Sequence, residues 1–268
     1  LARVRGFTQD DAHIFCTPEQ VEGEIQGVLE LVQFMLSTFG FTEYKVELSV
    51  RDPKRKEDYL GEDHEWELAE NALENVVKRA GLPYHRAEGE AVFYGPKIDI
   101  KLTDAIGREW QCSTIQFDFN LPRRFEVGYV GPDGQEHQAY MVHRALLGSM
   151  ERFFATLIEH YGGDFPVWLA PVQVQLITIA EDQKPYAEEL RTLLREKGIR
   201  AEADLREDKM GAKIRDAELM KIPYMLVLGK KEVEERTVSV RSRKKGNEGS
   251  IPVDAFVEKV VAETRART

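Results

Sequence analysis

Near the start of the chain, side chains with distinct chemistry recur at every second position. The odd positions of the segment RVRGFTQDDAHIF are Arg3, Arg5, Phe7, Gln9, Asp11 and His13. Alternate side chains of an extended strand share one face, so the segment predicts a strand that presents these groups together. Guanidiniums suit phosphate oxygens, a phenyl ring can stack on a base, and a carboxylate can hold an ammonium. The pattern fits a nucleotide and amino-acid site, and it fits a solvent-exposed strand of chance composition equally well.

Three later segments carry further groups of this kind. They are FYGPKIDIK with Tyr94 and Lys97, WQCSTIQFDF with Gln111, Thr114 and Gln116, and MVHRALLGSMERFF with His143, Gly148 and Arg152. The last segment predicts a strand-to-helix junction at His143. Helical spacing then predicts one face for Gly148 and Arg152, with the glycine allowing a ligand to approach the backbone.

Two blocks of predicted elements must position these groups. In the first half, helices are predicted at 17–39, 64–79 and 143–161, and strands at 45–49, 98–103, 110–119 and 126–130. This pattern indicates an antiparallel sheet with helices on one side. In the second half, strands at 172–180, 199–203, 224–227 and 237–243 alternate with helices at 183–196, 213–220 and 253–263. Such alternation favours a small α/β domain with a mixed sheet.

Charge and composition separate the halves and exclude several classes of protein. The 268 residues have a net charge of −10, which argues against a general polyanion binder. Residues 1–171 carry 17 basic and 29 acidic side chains, whereas residues 172–268 carry 20 and 18. Two cysteines are too few for a disulfide framework, and the longest apolar runs have only strand length. We therefore expect a cytoplasmic protein with no membrane-spanning helix. Any nucleic acid would bind to a local part of its surface.

Taken in order, these motifs resemble the threonyl-tRNA synthetase family of class II aminoacyl-tRNA synthetases. RVRGFTQDDAHIFC resembles the second half of class motif 2, FYGPKI and QCSTIQFDF resemble substrate strands, and HRALLGSMERF resembles class motif 3. The stretch from APVQVQ to AETR resembles the anticodon-binding domain. The resemblance implies an α+β fold: an N-terminally incomplete class II catalytic domain at 1–165, then a smaller mixed-sheet anticodon-binding domain at 172–268. Family members are expected to form homodimers.

The resemblance also implies the reaction and the residues that bind ATP. Threonine and ATP would form threonyl-adenylate, and the threonyl group would then pass to tRNA(Thr). Positioning and charge stabilisation would dominate catalysis, with Mg²⁺ on the phosphates. Arg3, Lys97 and Arg152 are implied as catalytic residues, and Arg3, Phe7, Gln9, Gln111, Thr114 and Arg152 as ATP-binding residues.

Threonine selection in this family is implied to use Zn²⁺. A site that ligates the threonine hydroxyl can reject valine, which an apolar pocket cannot do well. His13 and His143 match two of the family's three protein ligands, and Asp11, Tyr94 and Gln116 match residues that hold threonine. The third ligand, a cysteine, and the first arginine of motif 2 lie upstream of the segment where this chain begins. We therefore expect a zinc site with only two firm protein ligands.

The second domain is implied to read the tRNA anticodon. Arg215, Glu232 and Arg241 match the positions that contact anticodon bases. Arginine can offer paired donors to guanine, and glutamate can accept from base amines. Two alternatives stay open. The chain could be a catalytically incomplete synthetase-like module that binds RNA, or a histidine- or proline-specific relative, which the pairing of His13 with His143 disfavours.

Overall fold

The computed structural model describes residues 2–267, so Leu1 and Thr268, the outer ends of the two predicted domains, lie outside it. The chain forms two compact units, residues 1–160 and 161–268. Each unit has its own sheet. No helix in the described range is long and apolar enough to cross a bilayer.

The first unit is built on a six-stranded sheet. Its described strands are β1 (Ala12–Cys16), β2 (Lys45–Val50), β3 (Tyr84–Glu88), β4 (Lys97–Thr103), β5 (Glu109–Asp118), β6 (Gly128–Val130), β7 (Glu136–Gln138) and β8 (Tyr140–Ala145). The order in the sheet is β1-β8-β5-β4-β2-β3, and β6 pairs with β7 in a separate ribbon. All neighbours in the large sheet are antiparallel except β2 and β3, which are parallel.

Helices cover this sheet. The described helices of the unit are α1 (Val21–Thr38), α2 (Asp63–Arg79), α3 (Asn120–Arg124) and α4 (Met150–Tyr161). α1 buries apolar residues at intervals of three and four, as an amphipathic helix does; they are Val21, Ile25, Val28, Leu29, Val32 and Leu36. α1 packs on β1, β5 and β8, while α2 packs on β2 and β4 and contacts α1.

The predicted strand through residues 3–13 is wrong over most of its length. β1 begins only at Ala12, and a single bridge joins Gln9 to Ser149. The backbone of this segment is instead held by groups around the start of α4. Thr8 accepts a hydrogen bond from Met150 N at 2.8 Å, and the Asp10 carboxylate accepts from the backbone N–H groups of residues 146 and 147. These partners are distant in sequence, so local alternation could not reveal them.

The helix predicted at 143–161 is also wrong at its start. Residues 140–145 form β8, which inserts between β1 and β5, and α4 begins only at Met150. Several short elements were not predicted either: β3, α3 and β7 in the first unit, and α7 and β13 in the second. The remaining predicted elements are present with bounds shifted by a few residues, and the predicted fold class is confirmed.

A mixed five-stranded sheet forms the second unit. Its described strands are β9 (Val174–Thr178), β10 (Ala201–Asp204), β11 (Tyr224–Leu228), β12 (Thr237–Ser242) and β13 (Gly246–Pro252), in the order β10-β9-β11-β12-β13. β9 is parallel to β10 and β11, and the other pairs are antiparallel. The helices are α5 (Lys184–Glu196), α6 (Met210–Leu219), α7 (Lys230–Glu235) and α8 (Val253–Ala266).

Both faces of this second sheet are buried. The larger cluster joins α5 and α8 to one face through residues such as Leu190, Phe256 and Leu226. A smaller cluster on the other face joins α6 through Ala217 to Ile177 and Met225. Successive strand residues therefore point to opposite cores, which explains why β11 reads as a continuous apolar run.

Candidate functional site

A cavity of about 590 Å³ in the first unit gathers most of the residues singled out from the sequence. The segment before β1, the strands β5 and β8, and the start of α4 form its walls. The predicted residues that line it are Arg3, Phe7, Gln9, Asp11, Tyr94, Gln111, Thr114, Gln116, His143 and Arg152. The volume lies in the range of small-molecule and cofactor sites.

Arg152 and Phe7 give this cavity a fixed cation and an accessible ring. Arg152 lies in the first turn of α4, where its Nε donates to the carbonyl of Ala2 and its Nη1 to that of Gln111, both at 3.2 Å. The Phe7 side chain is 56% exposed, so its ring is available to a planar ligand. A base could therefore contact both an aromatic face and a guanidinium.

Gly148 lines the cavity, but the helical face that it was predicted to share with Arg152 is wrong. It precedes α4 and so shares no helix with Arg152. Its φ is +66°, and a Cβ at this position would lie 2.3 Å from the carbonyl oxygen of Cys112. Glycine is required because the backbone turns here directly against β5, in a conformation that other residues rarely adopt.

A buried carboxylate that the sequence did not reveal organises one wall. Asp99, 2% exposed, accepts hydrogen bonds through Oδ1 from Gln111 Nε2 at 2.6 Å and from Thr114 Oγ1 at 2.9 Å. Its Oδ2 accepts from the ammonium of Lys97. Lys97 therefore lies behind the lining residues, where Asp99 holds it. Only the β4–β5 register, which pairs Asp99 with Thr114, brings these groups together.

Two imidazoles meet beside this cavity, and of the two His143 is among its lining residues while His13 is not. His13 on β1 and His143 on β8 are direct partners across the ladder, and their ring centroids are 4.5 Å apart. His143 Nε2 lies 2.9 Å from Oδ2 of the buried Asp118. His13 Nε2 lies 4.0 Å from Asp11 Oδ2, on the exposed side of the pair.

Tyr94 and Gln116 complete this end of the cavity. The Tyr94 hydroxyl donates to Gln116 Oε1 at 3.3 Å, and its ring lies 6.2 Å from that of His143. Burial, followed by the negative charge of Asp118, raises the pKa of Tyr94 above its usual value. Its hydroxyl is therefore neutral at ordinary pH and can both donate and accept hydrogen bonds.

These residues do not by themselves fit a zinc centre with three protein ligands. Within residues 2–267 no group of three or more histidine, cysteine, aspartate or glutamate side chains has suitable geometry for a metal. Burial raises the pKa of Cys16 to about 11 and that of Cys112 to about 12, and neither thiol joins the two histidines in a group that could hold a metal ion. The donor set stays at two imidazoles, fewer than catalytic zinc usually has.

In the second unit, two of the three predicted anticodon residues lie on neighbouring elements. Arg241 on β12 donates through Nε and Nη2 to Glu218 Oε1, at 3.2 and 3.0 Å. Glu218 follows Arg215 by one helical turn on α6, so this ion pair brings α6 against the strand that carries Arg241. Glu232 lies beyond the other end of β11, where its carboxylate accepts from Gly229 N and caps α7.

A buried lysine fixes the helix that carries Arg215. Lys213, 2% exposed, donates from Nζ to the carbonyl and hydroxyl oxygens of Thr178, at 3.1 and 3.2 Å. The same ammonium lies 3.3 Å from the carbonyl oxygen of Asp204. α6 is thereby tied to the ends of β9 and β10, which leaves the exposed Arg215 on a well-supported helix.

Comparison with known proteins assigns a family to each unit. Residues 1–161 match a family model described as the tRNA synthetase class II core domain (G, H, P, S and T), and residues 173–263 match one described as an anticodon binding domain. Relatives include a threonine–tRNA ligase of Acidobacterium capsulatum, 57% identical over 96% of this chain and 38% of its own length. Another, from Thermus thermophilus, is 55% identical over 100% of this chain and 40% of its own.

A solved structure agrees with these matches. It is described as the RNA binding domain of threonyl-tRNA synthetase from Cryptosporidium parvum, and it is 37% identical with a TM-score of 0.90. The match covers 98% of this chain and 65% of that one. The chain spans about two fifths of the length of the curated relatives it matches.

Proposed function

The chain belongs to the class II aminoacyl-tRNA synthetases, and on that premise we propose that it acts as a threonine–tRNA ligase. Threonine would be activated with ATP to threonyl-adenylate, and the threonyl group would then be transferred to tRNA(Thr). The observation that carries this proposal is the single cavity that holds both the Phe7–Arg152 pair and the end where His143, Tyr94 and Asp11 meet. A nucleotide and a small amino acid can lie side by side there.

Adenylate formation needs positioning and charge more than a protein nucleophile. The threonine carboxylate attacks the α-phosphorus of ATP, and pyrophosphate leaves. We assign the adenine to the space between Phe7 and Arg152, and the phosphates, with Mg²⁺ bound to them, to Arg3. From the family resemblance we assign Lys97, which pairs with Asp99 behind the lining residues, to the α-phosphate. Gln9, Gln111 and Thr114 complete the nucleotide contacts. Fixed charges in a partly enclosed site stabilise a developing negative charge without reorganisation.

Recognition of threonine is assigned to the opposite end of the cavity. Asp11 and Tyr94 hold the ammonium group, and Gln116 lines the space beside them. The hydroxyl of threonine must be bound by polar groups, because a purely apolar pocket would accept valine nearly as well. Zn²⁺ at His13 and His143 stays a proposal from family resemblance. Among the described residues, these two imidazoles are the ligands available to it.

Binding of tRNA is assigned to the second unit. Arg215 and Arg241 offer planar, paired donors of the kind that read guanine edges, and Glu232 offers acceptors for base amines. The near-neutral charge of residues 172–268 suits an RNA-facing surface better than the acidic first unit does. Association into a homodimer is a prediction that sedimentation of the purified chain checks.

Threonine-dependent ATP–pyrophosphate exchange tests the proposal. We expect exchange with threonine, much less with valine, and none with proline or histidine. Arg152→Ala should abolish it, whereas Arg195→Ala, an exposed change in the second unit, should leave it unaltered. Binding of tRNA(Thr) without exchange would instead support the catalytically incomplete RNA-binding module.

A further inference from the structure

Trp110 is the centre of a cluster of three guanidinium groups. It lies on β5 directly before Gln111. The Cζ atoms of Arg3, Arg108 and Arg152 lie 5.9, 5.3 and 5.6 Å from the centroid of its ring. Each distance is within the range of a cation–π contact. Two of these arginines line the nucleotide cavity, whereas Trp110 itself lies behind them.

A buried carboxylate fixes the indole ring. Trp110 Nε1 donates to Asp104 Oδ2 at 2.9 Å, and the same oxygen accepts from Arg108 Nε at 2.6 Å. The second carboxylate oxygen accepts from the backbone N–H groups of Ile106 and Arg108. With its side chain only 1% exposed, Asp104 has little freedom to move. The position of the ring is therefore set by the β4–β5 turn and not by the cavity.

Electrostatics explain why an aromatic ring is needed at this position. Three guanidiniums repel one another, and among residues 2–267 neither Arg3 nor Arg152 forms an ion pair that would offset this repulsion. The negative face of an indole attracts each cation without neutralising it. A carboxylate that accepts from the indole N–H also increases the electron density of the ring. The two cavity arginines thus keep their full charge for an anionic ligand.

We infer that Trp110 is a positioning residue that seats Arg3 and Arg152 at the nucleotide cavity. This inference rests on the proposed function and adds a residue to it. It assigns to the Asp104–Trp110 pair the role of holding Arg3 and Arg152 in place in the nucleotide-free protein. Trp110 acts through the two arginines and makes no contact of its own with the nucleotide.

Calorimetric titration of the purified chain with MgATP tests this role. Trp110→Leu, which keeps an apolar side chain but removes the π face, should weaken ATP binding by about tenfold. Trp110→Phe keeps a ring and should weaken it by less than about threefold. Trp168→Phe in the second unit is the matched control and should bind ATP as the unsubstituted chain does. Equal ATP affinity of the leucine variant and the unsubstituted chain would overturn the inference.

Fluorinated tryptophans provide a second measurement that does not depend on how well the leucine variant folds. Successive ring fluorination weakens the quadrupole with little change in size, so ATP affinity should fall stepwise in the unsubstituted chain. The same incorporation into Trp110→Phe should have no effect, and a flat series in both proteins would overturn the inference. If the unsubstituted chain binds no MgATP, the proposed function itself fails, and the inference fails with it.

Discussion

His13 and His143 lie opposite each other across the β1–β8 ladder with ring centroids 4.5 Å apart, and within residues 2–267 they belong to no group of three side chains that could hold a metal ion. Asp118 Oδ2 lies 2.9 Å from His143 Nε2 and orients the imidazole ring. A carboxylate on the other ring nitrogen commonly orients metal-binding histidines in this way. Two imidazoles thus lie side by side, and zinc bound to them alone would be held more weakly than by three or four ligands.

Zinc content tests this arrangement. We expect well below one zinc per purified chain, because two neutral ligands bind zinc much more weakly than three or four. Elemental analysis after dialysis measures it, and His143→Ala should remove the zinc that remains. His137→Ala, in the β6–β7 ribbon, is the control. One tightly held zinc per chain would contradict the prediction.

Asp99→Asn should disrupt the wall that Asp99 organises. Lys97, whose side chain is 15% exposed, would lose its anionic partner, and removal of one member of a buried pair costs about 3–5 kcal/mol. We expect a loss of unfolding free energy of this order in urea, together with weaker ATP binding. Asp58→Asn, at an exposed ion pair with Arg55, should cost much less, because an exposed pair contributes little to stability. Similar losses for the two variants would show that Asp99 has no special role.

Gly148→Ala tests the close approach of the turn to β5. Gly81 is the matched control, because its φ is +67° and an added Cβ would meet no atom within 4 Å. At Gly81 alanine should cost about 1–2 kcal/mol for the left-handed backbone alone. At Gly148 the contact with the Cys112 carbonyl adds to that cost, so we expect a clearly larger loss in urea unfolding. Equal losses would mean that the backbone shifts freely here.

Lowering the pH should reduce the contribution that Asp104 makes to the stability of the fold. Burial opposes its ionisation, but hydrogen bonds from Trp110 and Arg108 outweigh this effect and hold its pKa well below the ordinary value of 3.8. A depressed folded-state pKa stabilises the fold above the unfolded-state value, and the contribution is lost as pH falls towards the folded-state value. The stability advantage over Asp104→Asn should therefore be constant above about pH 5 and shrink below about pH 4. Urea unfolding across this range measures it, and an advantage that grew in acid would contradict the assignment.

Arg241→Ala should weaken binding of tRNA(Thr) by about 1–3 kcal/mol, the usual worth of a bidentate contact to a base. The free protein holds this guanidinium on Glu218, so the arginine is already extended towards α6. Filter binding at fixed salt measures the affinity. Arg195→Ala, which removes an exposed arginine paired with Glu202, is the control for a general loss of charge. Equal effects of the two changes would remove Arg241 from the anticodon surface.

Local pattern was sufficient for the elements whose partners are regular. Alternation predicted β2, β4 and β5, and helical spacing predicted α1, α2 and α8. The residues that line the cavity come from four separate segments, and the resemblance to a known family, not local pattern, brought them together. Asp99 and Trp110 were missed for a different reason. The contacts that each residue makes depend on the register of β4 against β5 and on turns that bring distant side chains together. No single stretch of sequence shows these contacts.

The segment that carries Arg3 and Phe7 precedes β1 and is tied down by one bridge at Gln9 and a few hydrogen bonds around the start of α4. Most of its residues are exposed, so we expect it to separate from the sheet at a lower free energy than global unfolding. Such an opening dismantles one wall of the cavity while the scaffold stays native. The measured affinity for nucleotide is then the affinity of the closed form multiplied by the fraction of molecules that are closed. Bound nucleotide should therefore slow amide hydrogen exchange more in this segment than elsewhere in the chain.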